Sequence, residues 1–241
     1  MDIVGGDVVA FVGAGGKSSA ILQITRELKE DGVKVLVAPT TKMFVSEAEV
    51  VGPVLTSEDK DELLSKAADA LDVEGAAVIG STLLSKGRVG GVETSWVPAL
   101  APKGGVTLVE ADGARRRPIK GTAAHEPVLP EKATLVVAVG GVRALGARVD
   151  EKHVHRPEIF SELTGTGTGH IIGARAFAQA LLAGLRTVPE GTRRAALLVD
   201  VEPAQSMSEA SMIAGQLRQG GLCNVILSSL PKETPGQVWT L

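Results

Sequence analysis

Short, largely apolar runs alternate with segments of helical periodicity along this chain. Between the first two runs, Ala20, Ile21, Ile24 and Leu28 recur at the spacing of one helix face. Buried strands joined by helices form a mostly parallel sheet. We therefore predict an α/β fold with a doubly wound, mostly parallel sheet covered by helices on both faces. The predicted strands span residues 8–12, 33–39, 76–79, 106–110, 134–139, 195–200 and 224–229.

The composition agrees with this class of fold. Aromatic residues make up only 2% of the 241 residues, so the core has to be built from Val, Leu, Ile and Ala. No repeat or long linker divides the sequence. We expect a single nucleotide-binding domain over residues 1–241, with an irregular insert at residues 80–105.

The turn after the first strand predicts a phosphate-binding loop. The usual motif G-x-x-x-x-G-K-[ST] would need a glycine where this chain has Phe11. The shorter form G-x-x-G-K-S-S is present, and it resembles the loop of the Mur-ligase and folylpolyglutamate-synthetase group. A glycine turn between a strand and a helix presents free amides to an anion. We therefore predict that the α/β fold is of P-loop NTPase type. The predicted phosphate-binding residues are Gly13, Ala14, Gly15, Gly16, Lys17, Ser18 and Ser19.

Acidic and hydroxyl side chains at strand ends predict a magnesium site beside that loop. Glu110 and Asp112 follow a predicted strand at positions i and i+2, which places both carboxylates on one side. Thr41 follows the second strand, at the edge where open α/β sheets bind ligands. We expect Ser18, Thr41 and Asp112 to hold Mg²⁺, Lys17 to neutralise charge, and Glu110 to orient a nucleophile.

A basic segment follows the acids and suggests a second anion site. Arg115, Arg117 and Lys120 could hold an anionic second substrate, or they could belong to a solvated loop. The histidines of two His–X–Pro stretches could act near neutral pH. We assign to this second-substrate site Arg115, Arg117, Lys120, His125, His155 and Arg156.

These motifs together resemble the YqeC family of proposed accessory proteins for selenium-dependent molybdenum hydroxylases. The resemblance rests on "VGAGGKSS", "VLVAPTTKMF", "VEADGARRRPIK", "HEPVLP" and "VHRPE", over roughly residues 8–160. It implies a nucleotide-binding protein that acts in the maturation of such a hydroxylase, with the hydroxylase as a partner.

Several functions remain open at this level. The leading interpretation is a Mg²⁺-dependent NTPase or an NTP-dependent transferase. The alternatives are a nucleotide-gated chaperone that delivers a cofactor to its client and, less favoured, a ligase of Mur type. A guanine-specific N-K-x-D motif is missing from "VDVE" at residues 199–202, which favours ATP over GTP.

Charge, hydropathy and cysteine content argue against nucleic-acid-binding, membrane-spanning and disulfide-bonded classes of protein. A net charge of −3 and the lack of aromatic residues near the arginines argue against nucleic acid as a partner. No apolar run reaches the length of about 20 residues that a membrane span needs. The single Cys223 excludes an internal disulfide and favours the cytoplasm.

Overall fold

The alternating apolar runs form a nine-stranded, mostly parallel sheet, which confirms the α/β class. The structure is a computed structural model and describes residues 1–202 and 206–229 and the backbone of 238–240. The strands are β1 (Val8–Gly13), β2 (Val35–Val37), β3 (Met43–Phe44), β4 (Val54–Thr56), β5 (Ala76–Gly80), β6 (Leu83–Leu84), β7 (Arg88–Val89), β8 (Val106–Glu110), β9 (Ile119–Lys120), β10 (Leu135–Gly141), β11 (Val154–His155), β12 (Arg193–Val199), β13 (Val225–Ser228) and β14 (Val238–Thr240).

Helices connect these strands. They are α1 (Lys17–Glu30), α2 (Val45–Val51), α3 (Lys60–Glu74), α4 (Val97–Leu100), α5 (Pro157–Thr164), α6 (Ala174–Gly184) and α7 (Met207–Gln219), with one 3₁₀ turn at Val142–Ala144. Where we expected an irregular insert at residues 80–105, the chain forms β6, β7 and α4. β6 and β7 pair with β3 in a separate three-stranded antiparallel sheet.

The order of strands puts β1 at the centre of the large sheet. That order is β14-β13-β12-β10-β1-β8-β2-β5-β4, and only the β13–β14 pair is antiparallel. From β1 the chain moves to β2 on one side, whereas β10 lies on the other side of β1. The order therefore reverses at β1, and a crevice opens at such a reversal beyond the carboxyl ends of the strands.

Both faces of the sheet are covered. Along β1, Val8, Ala10 and Val12 pack into one apolar cluster, which includes side chains of α3 to α7. Val9 and Phe11 point to the other face and pack with α1 and α2. The alternation of a strand's side chains thus produces two cores, and these hold the β1–α1 turn rigidly at the centre of the molecule.

Candidate functional site

The turn between β1 and α1 depends on glycine. Gly15 and Gly16 have φ values of +82° and +133°, in the region that side chains disfavour. A Cβ atom on Gly15 would lie 2.5 Å from the Gly141 nitrogen and 2.6 Å from the Pro118 oxygen. The backbone of this turn therefore approaches neighbouring backbone too closely for any other residue.

The amides at the start of α1 form a cradle without an internal acceptor. Within the described part of the chain, no oxygen accepts a hydrogen bond from the backbone N–H of residues 15–19. All five of these residues line an open cavity of about 950 Å³. The amides of two further residues in the predicted loop do have acceptors within the protein. The Gly13 amide donates to Asp112 Oδ2 (2.8 Å) and the Ala14 amide to Val139 O (2.9 Å). The cradle is thus shorter than the sequence suggested.

Lys17 lies beneath this cradle and is almost fully buried. Its Nζ donates to Gly13 O at 2.7 Å. The same nitrogen lies 3.1 Å from Asp112 Oδ1, in ion-pair contact without the alignment of a hydrogen bond. An ammonium group has three donors, so Lys17 keeps N–H capacity for an anion in the cavity that it lines.

Asp112 connects two lysines and the loop. Its Oδ2 atom accepts from the Gly13 amide and from Lys120 Nζ at 3.1 Å, while Oδ1 faces Lys17. The carboxylate is fully buried and does not line the 950 Å³ cavity. This geometry does not support the expected role of Asp112 as a metal ligand, because two ammonium groups already occupy the space around it. Its position is that of a residue that orients Lys17.

Of the two acids predicted from the sequence, Glu110 is the one that lines the cavity. The Ser18 hydroxyl donates to Glu110 Oε2 at 3.0 Å, and both residues line the cavity. Burial raises the pKa of Glu110, and this effect exceeds the opposing influence of the Lys17 charge and the Ser18 hydrogen bond. A buried carboxylate of this kind gains from a bound cation.

Two threonines complete this wall of the cavity. Thr40 Oγ1 donates to Val128 O at 3.1 Å. Thr41 Oγ1 is buried and has no hydrogen-bond partner in the described residues. An unpaired buried hydroxyl in the cavity that Ser18 and Glu110 also line fits the oxygen ligands that Mg²⁺ requires, so the residues present are suited to that ion.

The basic residues lie mainly at a second, smaller cavity of about 410 Å³, lined by Arg115, Arg117, His155 and Arg156 among others. Lys120 is buried behind it, 2.7 Å from Glu126 Oε2. His125 is exposed and lines neither cavity, so the structure does not bring it into the second-substrate site we expected.

Sequence reasoning missed several residues of the first cavity. Arg88 and Arg116 each contact the Phe44 ring, with guanidinium carbons 4.7 and 4.6 Å from its centroid. On the opposite side, Arg143 Nη1 pairs with Asp200 Oδ2 at 2.8 Å. Asp200 has a φ of +60°, a strained value for a residue with a side chain. In the sequence, Arg116 is visible only as part of the basic segment after the acids, and nothing in "VDVE" distinguishes Asp200 as a site residue.

Clusters of metal-binding side chains and membrane-spanning helices are both absent from the described residues. No three His, Cys, Asp or Glu side chains come together there in a group that could hold a metal ion. A cation in the first cavity would consequently need hydroxyl groups and ligand oxygens as well as Glu110.

No helix in the described ranges has the length and apolarity to cross a membrane.

Comparison with known proteins identifies the family. The model of the family described as "YqeC protein" matches residues 9–158. The chain is also 33% identical over 192 residues to "Uncharacterized protein YqeC" of Escherichia coli (strain K12), which covers 78% of this chain and 73% of that protein. The matched region contains the cradle, Glu110, Asp112 and the arginines of both cavities. The chain belongs to the YqeC family.

Proposed function

We propose that this protein binds a nucleoside triphosphate with Mg²⁺ in the 950 Å³ cavity and catalyses its hydrolysis or a transfer reaction that depends on it. The observation that carries the proposal is the run of five unpaired amides at residues 15–19, all of which line the cavity. Amides without acceptors at the positive end of a helix stabilise a polyphosphate.

Lys17 supplies the positive charge in this proposal. Its ammonium group is oriented by Gly13 O and Asp112 and lies at the first residue of α1. A fixed cation of this kind stabilises the charge that develops on a phosphoryl group during transfer, with little reorganisation. Asp112 would act by positioning Lys17, not by contacting the nucleotide.

Ser18, Glu110 and Thr41 would hold the metal ion. Support comes from the Ser18–Glu110 hydrogen bond of 3.0 Å and from the buried, unpaired Thr41 hydroxyl. Mg²⁺ at this position would neutralise phosphate charge. Glu110 would either ligate the ion directly or accept a hydrogen bond from one of its water molecules.

The order of the strands also favours a fold of P-loop NTPase type. β8, which carries Glu110, pairs directly with β1, which leads into the cradle, and Phe11 is in register with Glu110. The cradle and the acid therefore emerge side by side where the strand order reverses, which is the general position of ligand sites in such sheets.

The identity of the nucleotide and the cellular role of the protein are separate parts of the proposal. ATP is favoured over GTP because the sequence lacks the guanine-specific motif. A role in the maturation of a selenium-dependent molybdenum hydroxylase follows from the family resemblance alone. The protein from Escherichia coli to which this chain is similar is described without an activity.

The direct test is nucleotide binding by calorimetry, with ATP, GTP and CTP in the presence and absence of Mg²⁺. We expect one triphosphate to bind in a Mg²⁺-dependent manner, and its hydrolysis to be measurable by phosphate release. A ligand at 100 times its Kd should also stabilise the fold by about 2.7 kcal/mol.

Matched variants locate the site. Lys17→Ala should abolish binding, whereas Lys29→Ala, an exposed lysine in the last turn of the same helix, should have no effect. Since Lys17 is buried, Ser18→Ala provides a second variant that removes only a hydroxyl and should weaken the Mg²⁺-dependent part of the affinity. The proposal fails if no triphosphate binds, or if Lys17→Ala and Ser18→Ala bind as tightly as the wild type.

A further inference from the structure

The second cavity adjoins the first and shares Gly113 and Arg115 with it. Its walls come from the turn after β8, from the loop that carries Glu126, and from the start of α5. Its charged and titratable lining residues are Arg115, Arg117, Arg156, His155, Glu126, Glu151 and Glu158.

Three arginines line this cavity together with Glu126 and the exposed Glu151 and Glu158, so its affinity for an anion depends on how these charges are paired. Arg115 and Arg117 form no ion pair with any residue in the described ranges. Arg156 binds Glu126 with both guanidinium nitrogens, one of them 3.1 Å from Oε1. Glu126 is also shared with buried Lys120, so this one carboxylate already serves two cations. Two arginines are thus left with free forks of donors, a geometry that matches phosphate and carboxylate oxygens.

His155 lines the same cavity and lies close to these cations. Burial, followed by the charges of Arg156, Lys120 and Arg115, lowers the pKa of His155 to about 4, although Glu126 acts in the opposite direction. Three cations from two segments, residues 115–120 and Arg156 next to His155 itself, thus act on one imidazole. At pH 7 that imidazole is neutral and can donate or accept a hydrogen bond.

The backbone around the cavity is held in an unusual shape. Arg115 and Arg156 have φ values of +47° and +61°, in the left-handed region. Such conformations persist where the surrounding structure enforces them, and they concentrate at ligand sites. α5 begins at the same place, and no side chain caps its first amides.

A continuous chain of ion pairs, buried except at its end at Arg156, connects the two cavities. Lys17, Asp112, Lys120, Glu126 and Arg156 follow one another through ion-pair contacts. An anion that draws Lys17 or Arg156 toward itself changes how strongly the next group is paired. Ligands in the two cavities should therefore influence each other's affinity.

We propose that the second cavity binds a compact oxyanion group, phosphate or carboxylate, and that this group belongs to the second substrate of the reaction in the first cavity. Only its identification as a co-substrate site rests on the proposed function, because the binding of an oxyanion requires nothing of the nucleotide site. Arg117 contacts the ligand directly in this proposal, since it lines the second cavity alone.

Titration of His155 by NMR tests the proposal in the wild-type protein. Inorganic phosphate and malonate are the two probes, with chloride at equal ionic strength as the reference, and His155→Gln identifies the resonance. A bound anion offsets the neighbouring cations, so we expect the pKa of His155 to rise by at least one unit. Because Arg115 lines both cavities, the titration is repeated in Lys17→Ala, which lacks the lysine of the first cavity, and the response of His155 should persist there.

A matched pair of arginine variants locates the contact. In Arg117→Ala, the probe concentration needed to shift the pKa of His155 should rise at least tenfold. Replacement of Arg175, an exposed arginine on α6, by Ala should leave that concentration unchanged. A response to phosphate, to malonate or to both supports the site and identifies the group it prefers. No response to either probe, or equal responses in the two variants, overturns it.

The two proposals fail in different ways. If no triphosphate binds but phosphate shifts His155, the nucleotide site is wrong and the oxyanion site stands. If a triphosphate binds and His155 responds to neither probe, the second cavity is not an anion site. If both sites bind, the triphosphate should change the affinity for the probe by a measurable factor.

Discussion

The ammonium group of Lys17 lies 3.1 Å from Asp112 Oδ1, and both side chains are buried. Lys120 occupies the other oxygen of the same carboxylate at the same distance. One acid thus neutralises the lysine of the amide cradle and a lysine behind the second cavity. Because two ammonium groups surround it, Asp112 contributes to the site through position and charge balance.

Replacement of Asp112 separates this role from that of a metal ligand. Asp112→Asn should lower the free energy of unfolding by about 3–5 kcal/mol, because it leaves Lys17 buried without a countercharge. Asp72→Asn is the control: it removes an exposed ion pair with Lys34 and should cost at most about 1 kcal/mol. Urea denaturation measures both. If Asp112→Asn proves as mild as the control and instead raises the Mg²⁺ concentration needed for nucleotide binding, Asp112 is a metal ligand after all.

Replacement of Glu110, unlike that of Asp112, should stabilise the folded protein while it weakens nucleotide binding. Burial raises its pKa, so the folded state favours the protonated form, and stability present below pH 4.5 is lost as the pH rises through the folded-state value. Glu110→Gln should therefore raise Tm at pH 7 and change it little at pH 4. The same variant should weaken Mg²⁺-dependent nucleotide binding. Exposed Glu58→Gln serves as the control and should leave both quantities unchanged; a loss of stability in Glu110→Gln would contradict this account.

Local sequence patterns were sufficient to predict the main strands and helices. The strand before the cradle, the helix after it and the acid at the end of β8 are each encoded within a few residues, and a parallel sheet brings neighbouring carboxyl ends together. The roles of Glu110 and Asp112 were not separable in this way. Their spacing indicates a common side of the strand, but only Lys120, delivered by β9, determines which acid is enclosed.

Contacts between distant segments were beyond sequence reasoning. Phe44, Arg88 and Arg116 meet only because β3 and β7 pair beside the turn after β8. His125 and His155 have the same His–X–Pro context, yet the fold exposes the first and surrounds the second with cations. Such differences depend on tertiary packing, which the periodicity of a single segment does not contain.

His155 should make stability depend on pH below neutrality. Its folded-state pKa of about 4 lies below the usual 6.5, so the stability present above pH 6.5 is lost as the pH falls toward 4. His155→Gln should flatten the dependence of unfolding free energy on pH in this window, which denaturation at half-unit pH steps can follow. His125→Gln, at an exposed position, should retain the wild-type slope. Equal slopes in the two variants would show that the cations do not act on His155 as the structure indicates.

The cradle itself can be tested through its glycines. Gly15→Ala places a Cβ atom 2.5 Å from the Gly141 nitrogen at a φ of +82°, so it combines backbone strain with a steric clash. Gly6→Ala meets a similar φ of +94° with no atom within 4 Å, and it should cost only the conformational penalty of about 1–2 kcal/mol. We expect a larger loss of unfolding free energy for Gly15→Ala, by about 1–3 kcal/mol. That variant should also lose triphosphate affinity while Gly6→Ala retains it, as measured by calorimetry below the Tm of both proteins. If Gly15→Ala folds and binds like the control, the amides of residues 15–19 do not form the phosphate site.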